Sequence, residues 1–204
     1  MNKKFFNNTG MTFIEMLIYI SIFTIIILVV TYSAVSFYRY NAYSLEQSQA
    51  IDSARRGIEP SINNIREASY SDEGGYPIVS ASGDSFIFYS DVDRDNIIEK
   101  VRLFLDSGTN TFKKGLTKSA GNPPTYDNQP ESIFILADNV RNTANGVSIF
   151  KYYDNTGAEV TNLSNVSSIT FVVMSVIVNV NPSRSPNDFT LRASAALRNL
   201  KSNL

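Results

Sequence analysis

The sequence has 204 residues, a formal net charge of −1 at pH 7, and no Cys, His or Trp. This length accommodates one domain of about 150 residues plus an appendage. The absence of Cys excludes a lipoprotein acylation site, disulfides, thiolate metal sites and a Cys nucleophile, and the absence of His removes the commonest general base and zinc ligand. The balanced charge gives no overall indication of nucleic-acid binding.

A long apolar segment follows a short leader that contains Lys3 and Lys4. Residues 16–38 carry no charge, and as a helix they would span roughly 34 Å, which exceeds a hydrocarbon core of about 30 Å. The segment is longer than the apolar region of a cleaved secretory signal, about 7–15 residues, and no small-residue cleavage site follows it. It therefore predicts a retained membrane anchor, and the leader lysines favour a cytoplasmic N-terminus.

Glu15 lies at the start of this apolar segment. A carboxylate within a spanning helix is costly to insert, and such residues usually mark function. One interpretation is that Glu15 lies at the headgroup level and extends its side chain to water. The other is that its charge has a specific partner.

Residues 10–15, GMTFIE, followed by MLI, resemble the processing signature of type IV prepilins and type II secretion pseudopilins. The resemblance covers residues 3–38. It implies cleavage between Gly10 and Met11 by a prepilin peptidase and N-methylation of the new Met11 amine; Met stands where the family usually has Phe. Cleavage would create a positive amine, which a neighbouring subunit packed in register would bring to Glu15. Buried pairs of this kind are best attested as devices that set register.

The helical pattern continues beyond the membrane segment through residues 39–70. Apolar residues recur at spacings of three and four and form one stripe: Ile51, Ala54, Ile58, Ile62 and Ile65. Gly57 and Pro60 interrupt the pattern, but the stripe keeps its phase across Pro60. We therefore expect one helix, kinked at Pro60, that ends near Ser69.

Short segments of strand character fill residues 71–204. The predicted strands are residues 85–90, 97–105, 112–116, 132–137, 147–153, 159–161, 169–180 and 189–198. The first two flank DVDRDN as a hairpin, and residues 117–131 are predicted to form a loop. The expected fold class is α+β: a long N-terminal helix packed on an antiparallel β-rich head, as in pilins. FYSDVDRDNIIEKVRLFL, LADNVRN, FKYYDNTG and LRASAALRN resemble the heads of W-type minor pilins and J-type minor pseudopilins.

Alternating acids in the first hairpin are the candidate metal ligands. They are Asp91, Asp93, Asp95 and, four residues later, Glu99. Oxygen ligands at positions one, three and five resemble the opening of an EF-hand calcium loop. Asn96 stands where that loop has Gly, and Arg102 stands where it has Glu. Asp and Asn also suit a hairpin turn, so a calcium site and a solvated turn both stay open, with the turn favoured.

Two further clusters have plain interpretations. Phe86, Phe88 and Tyr152 fit strand alternation and core packing. Three lysines close in sequence form the only local basic cluster, and they indicate either an exposed strand end or a DNA contact: Lys113, Lys114 and Lys118. No spacing singles out a catalytic set, so we expect no enzyme activity, and no cofactor apart from the calcium alternative.

The resemblance implies a structural minor pilin or pseudopilin subunit, assembled into a type IV pilus or a related secretion or uptake pseudopilus. Its expected partners are the prepilin peptidase, other pilin or pseudopilin subunits, the inner-membrane assembly platform and membrane lipid, but not nucleic acid. The expected location is a single membrane pass with the head outside the cytoplasm, then an extracytoplasmic filament. The alternatives are a pilus-tip binding module, either an adhesin or a DNA-uptake subunit, and a membrane-anchored enzyme.

Overall fold

The computed structural model describes residues 10–184 and 188–198. One long helix, α1 (Phe13–Arg66), runs through Pro60 without a break. This confirms the prediction of a single helix and places its end three residues before Ser69. The kink at Pro60 stays a prediction. The leader, apart from Gly10, and the last residue of the LRASAALRN motif lie outside the described residues.

The strands of the head form two antiparallel sheets, of five strands in the order β1-β2-β3-β4-β5 and of three strands in the order β6-β7-β8. The five-stranded sheet comprises β1 (Ile78–Ala81), β2 (Ser85–Ser90), β3 (Glu99–Asp106), β4 (Thr111–Lys118) and β5 (Ser132–Ala137). The three-stranded sheet comprises β6 (Phe150–Tyr153), β7 (Phe171–Val178) and β8 (Phe189–Ala196), and a 3-10 turn (Val166–Ser168) precedes β7. The expected α+β class, a long helix packed on an antiparallel head, is thus confirmed.

The chain divides into two compact units, one ending at Leu45 and the other beginning at Glu46. In the first unit, the large apolar side chains of α1 are exposed to solvent from Phe13 to Tyr40. By length and composition, this part of α1 is able to cross a membrane, and the most apolar window is not buried within the protein. Exposure of so many large apolar side chains indicates that a lipid or protein surface covers them.

In the second unit, the predicted apolar stripe of α1 contributes the helix residues of the hydrophobic core. Ala54, Ile58, Ile62 and Ile65 are buried, and Ile51 is partly buried. The four buried residues belong to one cluster with the inward side chains of the sheets, which include Phe86, Phe88, Val101, Leu103, Phe112, Phe150, Tyr152, Val172 and Met174. The prediction that Phe86, Phe88 and Tyr152 belong to the core is confirmed.

A buried amide fixes this part of α1 to the end of β7. Gln47 Nε2 donates to the Val178 carbonyl oxygen at 3.1 Å, and the Val180 amide donates to Gln47 Oε1 at 2.9 Å. Both polar ends of a buried side chain are thereby satisfied, as a buried amide requires.

The strand predictions were wrong at several places, and the ends of β3, β6, β7 and β8 differ from the predicted ends by up to three residues. Strand β1 was not predicted. It has only four residues, which is too few for alternation to be recognised in sequence. Residues 159–161 form no strand; Glu159 makes a single bridge to Tyr153. β4 extends to Lys118, because Thr117 and Lys118 pair with Lys100 and Glu99 of β3, so the predicted loop begins two residues later.

Candidate functional sites

The processing residues lie at the start of α1. Gly10 and Met11 are exposed and precede the helix, and Glu15 is in its first turn. The Thr12 amide donates to Glu15 Oε2 at 3.4 Å, and the Glu15 amide donates to Thr12 Oγ1 at 3.3 Å. This reciprocal arrangement is a capping box, in which a Thr and a Glu three residues apart satisfy amides at the helix start.

The capping box gives Glu15 a local role that the sequence analysis missed. The signal was present, since Thr-x-x-Glu before an apolar run is the sequence pattern of a capping box. The Tyr19 hydroxyl also lies within 3.5 Å of Glu15 Oε1. Among residues 10–184 and 188–198, no Lys or Arg forms an ion pair with Glu15. Within the described chain, therefore, the Glu15 charge has no cationic partner.

The candidate metal ligands lie in the β2–β3 turn, which we call the acidic turn (residues 90–99). Carboxyl oxygens of Asp91, Asp93 and Glu99 lie within 4.8 Å of one another. Glu99 is only 1% exposed, and strand pairing places it between Ser90 of β2 and Lys118 of β4. The structure thus brings three of the four predicted ligands together.

Asp95, the fourth predicted ligand, is connected to the others through Lys118. Lys118 Nζ donates to Asp93 Oδ2 at 2.6 Å and to Asp95 Oδ2 at 2.8 Å. It also forms a longer ion pair with Glu99, in which Nζ lies 3.3 Å from Oε1. These hydrogen bonds, which Lys118 donates to Asp93 and Asp95, raise the pKa of Lys118 and keep its ammonium charged. Sequence reasoning placed Lys118 in a basic cluster, because its pairing with β3 is not visible in local sequence.

Three buried oxygens of the acidic turn make no hydrogen bond: Ser90 Oγ, Asp91 Oδ1 and Glu99 Oε1. They are the buried side-chain polar atoms without a hydrogen bond in the described part of the chain. The other oxygen of Glu99 is satisfied, since it accepts the Val92 amide at 2.8 Å. Burial nevertheless raises the pKa of the Glu99 carboxyl above its ordinary value, against the opposing effects of Val92 and Lys118.

The two departures from the EF-hand pattern have structural explanations. Asn96 adopts a left-handed conformation, φ 67°, so it takes the backbone conformation for which such loops use Gly. Its amide donates to Asp91 Oδ2 at 3.1 Å. Arg102 is unsuited to the acidic turn, because its guanidinium binds Glu131 through two hydrogen bonds of 2.8 and 2.6 Å. Glu99, three residues earlier in the chain, instead supplies the carboxylate that lies close to those of Asp91 and Asp93.

The three lysines of the predicted basic cluster do not form one patch. Lys113 pairs with Asp106 at 2.6 Å, and Lys118 belongs to the acidic turn. Lys114 Nζ lies 5.8 Å from the centre of the Phe134 ring, and burial lowers the pKa of this amine. Because strand neighbours alternate between faces, Lys113 also projects from the opposite face to the other two.

Strand β5, at the edge of the five-stranded sheet, exposes three consecutive large apolar residues. Ile133, Phe134 and Ile135 are 53%, 49% and 60% exposed. A sheet edge offers unpaired backbone groups to another chain, so this apolar edge is a candidate contact surface.

Comparisons with protein-family models, with curated proteins and with solved structures found no match to this chain.

Proposed function

We propose that this chain is a structural minor pilin or pseudopilin, made as a precursor, cleaved after Gly10 and assembled into a type IV pilus or a related pseudopilus. The observation that carries the proposal is the position of GMTFIE. The motif leads directly into the first turn of a long helix, which begins at Phe13 and whose early part is apolar and exposed. Cleavage after Gly10 would leave Met11 one residue before the capping residue Thr12, so the mature chain would begin almost at the helix start.

The uneven burial of α1 supports a filament role. Its first part exposes apolar side chains on all sides, whereas the part from Glu46 buries one stripe against the head. A lipid bilayer covers such an all-round apolar helix before assembly, and the helices of neighbouring subunits cover it afterwards. A peripheral protein with a one-sided amphipathic helix would instead have a polar face along that segment.

Charge pairing at Glu15 is the step that would set the register of subunits. The new Met11 amine of an incoming subunit and the Glu15 carboxylate of its neighbour are each costly in an apolar filament core, and each offsets the cost of the other. The partners are then the prepilin peptidase, other pilin or pseudopilin subunits and the inner-membrane assembly platform. The N-terminus is cytoplasmic before assembly and the head lies outside the cytoplasm.

Two Glu15 variants separate charge pairing from helix capping. Glu15→Gln keeps a side chain that completes a capping box but removes the charge, whereas Glu15→Ala removes both. Both variants should insert in the membrane and be cleaved, because the peptidase and the bilayer meet the monomer first. The measurement is the amount of subunit in sheared filaments relative to its amount in the membrane.

If Glu15 pairs with a neighbour's amine, both variants lose incorporation at normal membrane level. If Glu15 acts only as a cap, Glu15→Gln incorporates like the wild type and Glu15→Ala does not. Equal incorporation of the wild type, Glu15→Gln and Glu15→Ala would contradict both the charge-pairing role and the capping role of Glu15.

The exposed apolar residues of β5 favour a second candidate, a binding module at the filament tip. The double variant Ile133→Ser/Ile135→Ser removes two of the exposed side chains from one face of the edge strand. A tip binding role predicts normal incorporation with loss of filament-dependent attachment or DNA uptake. Loss of incorporation would instead assign the β5 edge to contacts between subunits.

A further inference from the structure

We propose that the acidic turn binds a divalent cation of the calcium type, and that the Lys118 ammonium takes the place of this cation when it is absent. The proposal is independent of the filament function.

Unsatisfied oxygens carry the argument. Buried polar atoms in proteins nearly always have a partner, and an exception calls for an explanation such as a bound ion. In the described part of this chain, the exceptions are Ser90 Oγ, Asp91 Oδ1 and Glu99 Oε1, all in the same turn. The Glu99 side chain is nearly fully buried, and its Oε1 has only the Lys118 ammonium beside it, at 3.3 Å. A cation among them would satisfy oxygens that have no hydrogen-bond donor.

The acidic turn also carries more negative than positive charge. Three carboxylates, those of Asp93, Asp95 and Glu99, share the Lys118 ammonium, and a fourth, that of Asp91, lies within 4.8 Å of Asp93 and Glu99. Arg94, in the same turn, forms no ion pair with any described residue. A cation with two charges compensates this cluster better than one ammonium does.

The spacing fits one shared cation. Calcium binds oxygens at about 2.3–2.6 Å, so two ligands of one ion lie at most about 5 Å apart. The oxygens of Asp91, Asp93 and Glu99 meet that limit, since they lie within 4.8 Å of one another. An all-oxygen set suits calcium, magnesium or manganese. An irregular set with a buried carboxylate favours calcium, because magnesium requires near-octahedral geometry and keeps most of its water.

Lys118 is able to leave the site. Its side chain is half exposed, and its long stem is flexible. An ammonium and a divalent cation cannot occupy the same carboxylates together, because they repel one another. Lys118 therefore competes with the cation for the carboxylates and weakens cation binding.

The experiment uses the full-length protein in detergent, stripped of metal with a chelator and titrated with calcium chloride in a calorimeter. We expect one site, with a dissociation constant on the order of 10⁻⁴–10⁻³ M, as in extracellular calcium modules. Saturating calcium should raise the melting temperature, since a ligand of the folded state stabilises it. Magnesium at the same concentration should raise it less, and excess chelator should reverse the effect.

Three variants test the individual roles. Glu99→Gln keeps the shape of the side chain and should weaken calcium binding by about tenfold or more, because it removes a ligand charge. Lys118→Met should strengthen binding by about tenfold or more, because it removes the competing charge. Lys151→Met is the matched control, since it removes an exposed pair with Glu159 elsewhere on the head, and it should leave the affinity unchanged.

Two results would overturn the proposal. Absence of binding heat and of a melting shift, in both the wild type and Lys118→Met, would mean that the oxygens bind only water and Lys118. Weaker calcium binding by Lys118→Met would show that Lys118 supports the site and does not compete for it.

Discussion

Gly57 of α1 lies directly against the backbone of Leu136 in β5. A Cβ atom on Gly57 would lie 2.3 Å from the Leu136 carbonyl oxygen and 2.8 Å from its Cα. A Cβ atom essentially never makes contacts this short, so only glycine fits at position 57 without movement of helix or strand. A residue that disfavours helix formation is therefore present because the sheet approaches the helix closely at this point.

Gly57→Ala should destabilise the head by about 1–3 kcal/mol, the usual cost of overpacking. In an exposed helix the same change would stabilise by about 1 kcal/mol, so the sign of the effect is diagnostic. The measurement is the free energy of unfolding in denaturant. Glu59→Ala, at an exposed position of the same helix, is the control and should change stability by less than about 0.5 kcal/mol. An equal or higher stability of Gly57→Ala would contradict the close approach.

Ile62→Asp should cost about 3 kcal/mol or more, because it places an unpaired charge in the buried stripe of α1. Asn63→Asp is the matched control. It introduces the same carboxylate one residue later, at an exposed position where Asn63 Oδ1 already accepts from Arg66 at 3.0 Å. Thermal unfolding should show a large drop for Ile62→Asp and little change for Asn63→Asp. Similar melting of both variants would mean that the stripe does not pack on the sheet.

The Asp106–Lys113 pair should make stability depend on acid pH. Hydrogen bonds from Lys113, the largest cause, and from Thr109 lower the pKa of Asp106 from 3.8 to about 2. A carboxyl group whose pKa is lower in the folded state stabilises the fold above its ordinary pKa and loses this contribution as pH falls through the folded pKa. The stability difference between wild type and Asp106→Asn should therefore be constant near neutral pH and shrink between about pH 4 and pH 2.

Denaturant unfolding at several pH values measures this difference. Lys113→Met removes the same pair from the other side and should give a smaller pH dependence in the same direction, because the hydrogen bonds from Thr109 to Asp106 remain. A difference that stays constant down to the lowest pH would show that the pair does not shift the titration of Asp106.

Local sequence patterns predicted the elements that depend on local physics. The stripe from Ile51 to Ile65 has helical spacing, and SFIFYS is a short run of strand-forming residues before a turn, so the helix and β2 followed from sequence. The acidic turn was only half predicted. Its carboxylates are close in sequence, but Lys118 reaches them through a strand pairing that local sequence does not encode, and burial of Glu99 depends on three strands. Gly57 was interpreted as an interruption for the same reason, since Leu136 lies far away in sequence.

The most direct test of the proposed function is the N-terminal mass of the wild-type protein, extracted from the membranes of cells that contain a prepilin peptidase. Gly10→Val is the control, because a bulky residue before the cleavage point should leave the leader uncut. The account predicts that the wild-type protein begins at Met11 and carries one methyl group on its amine, and that Gly10→Val keeps residues 1–10. A wild-type protein that still begins at Met1 in the presence of the peptidase would contradict the account.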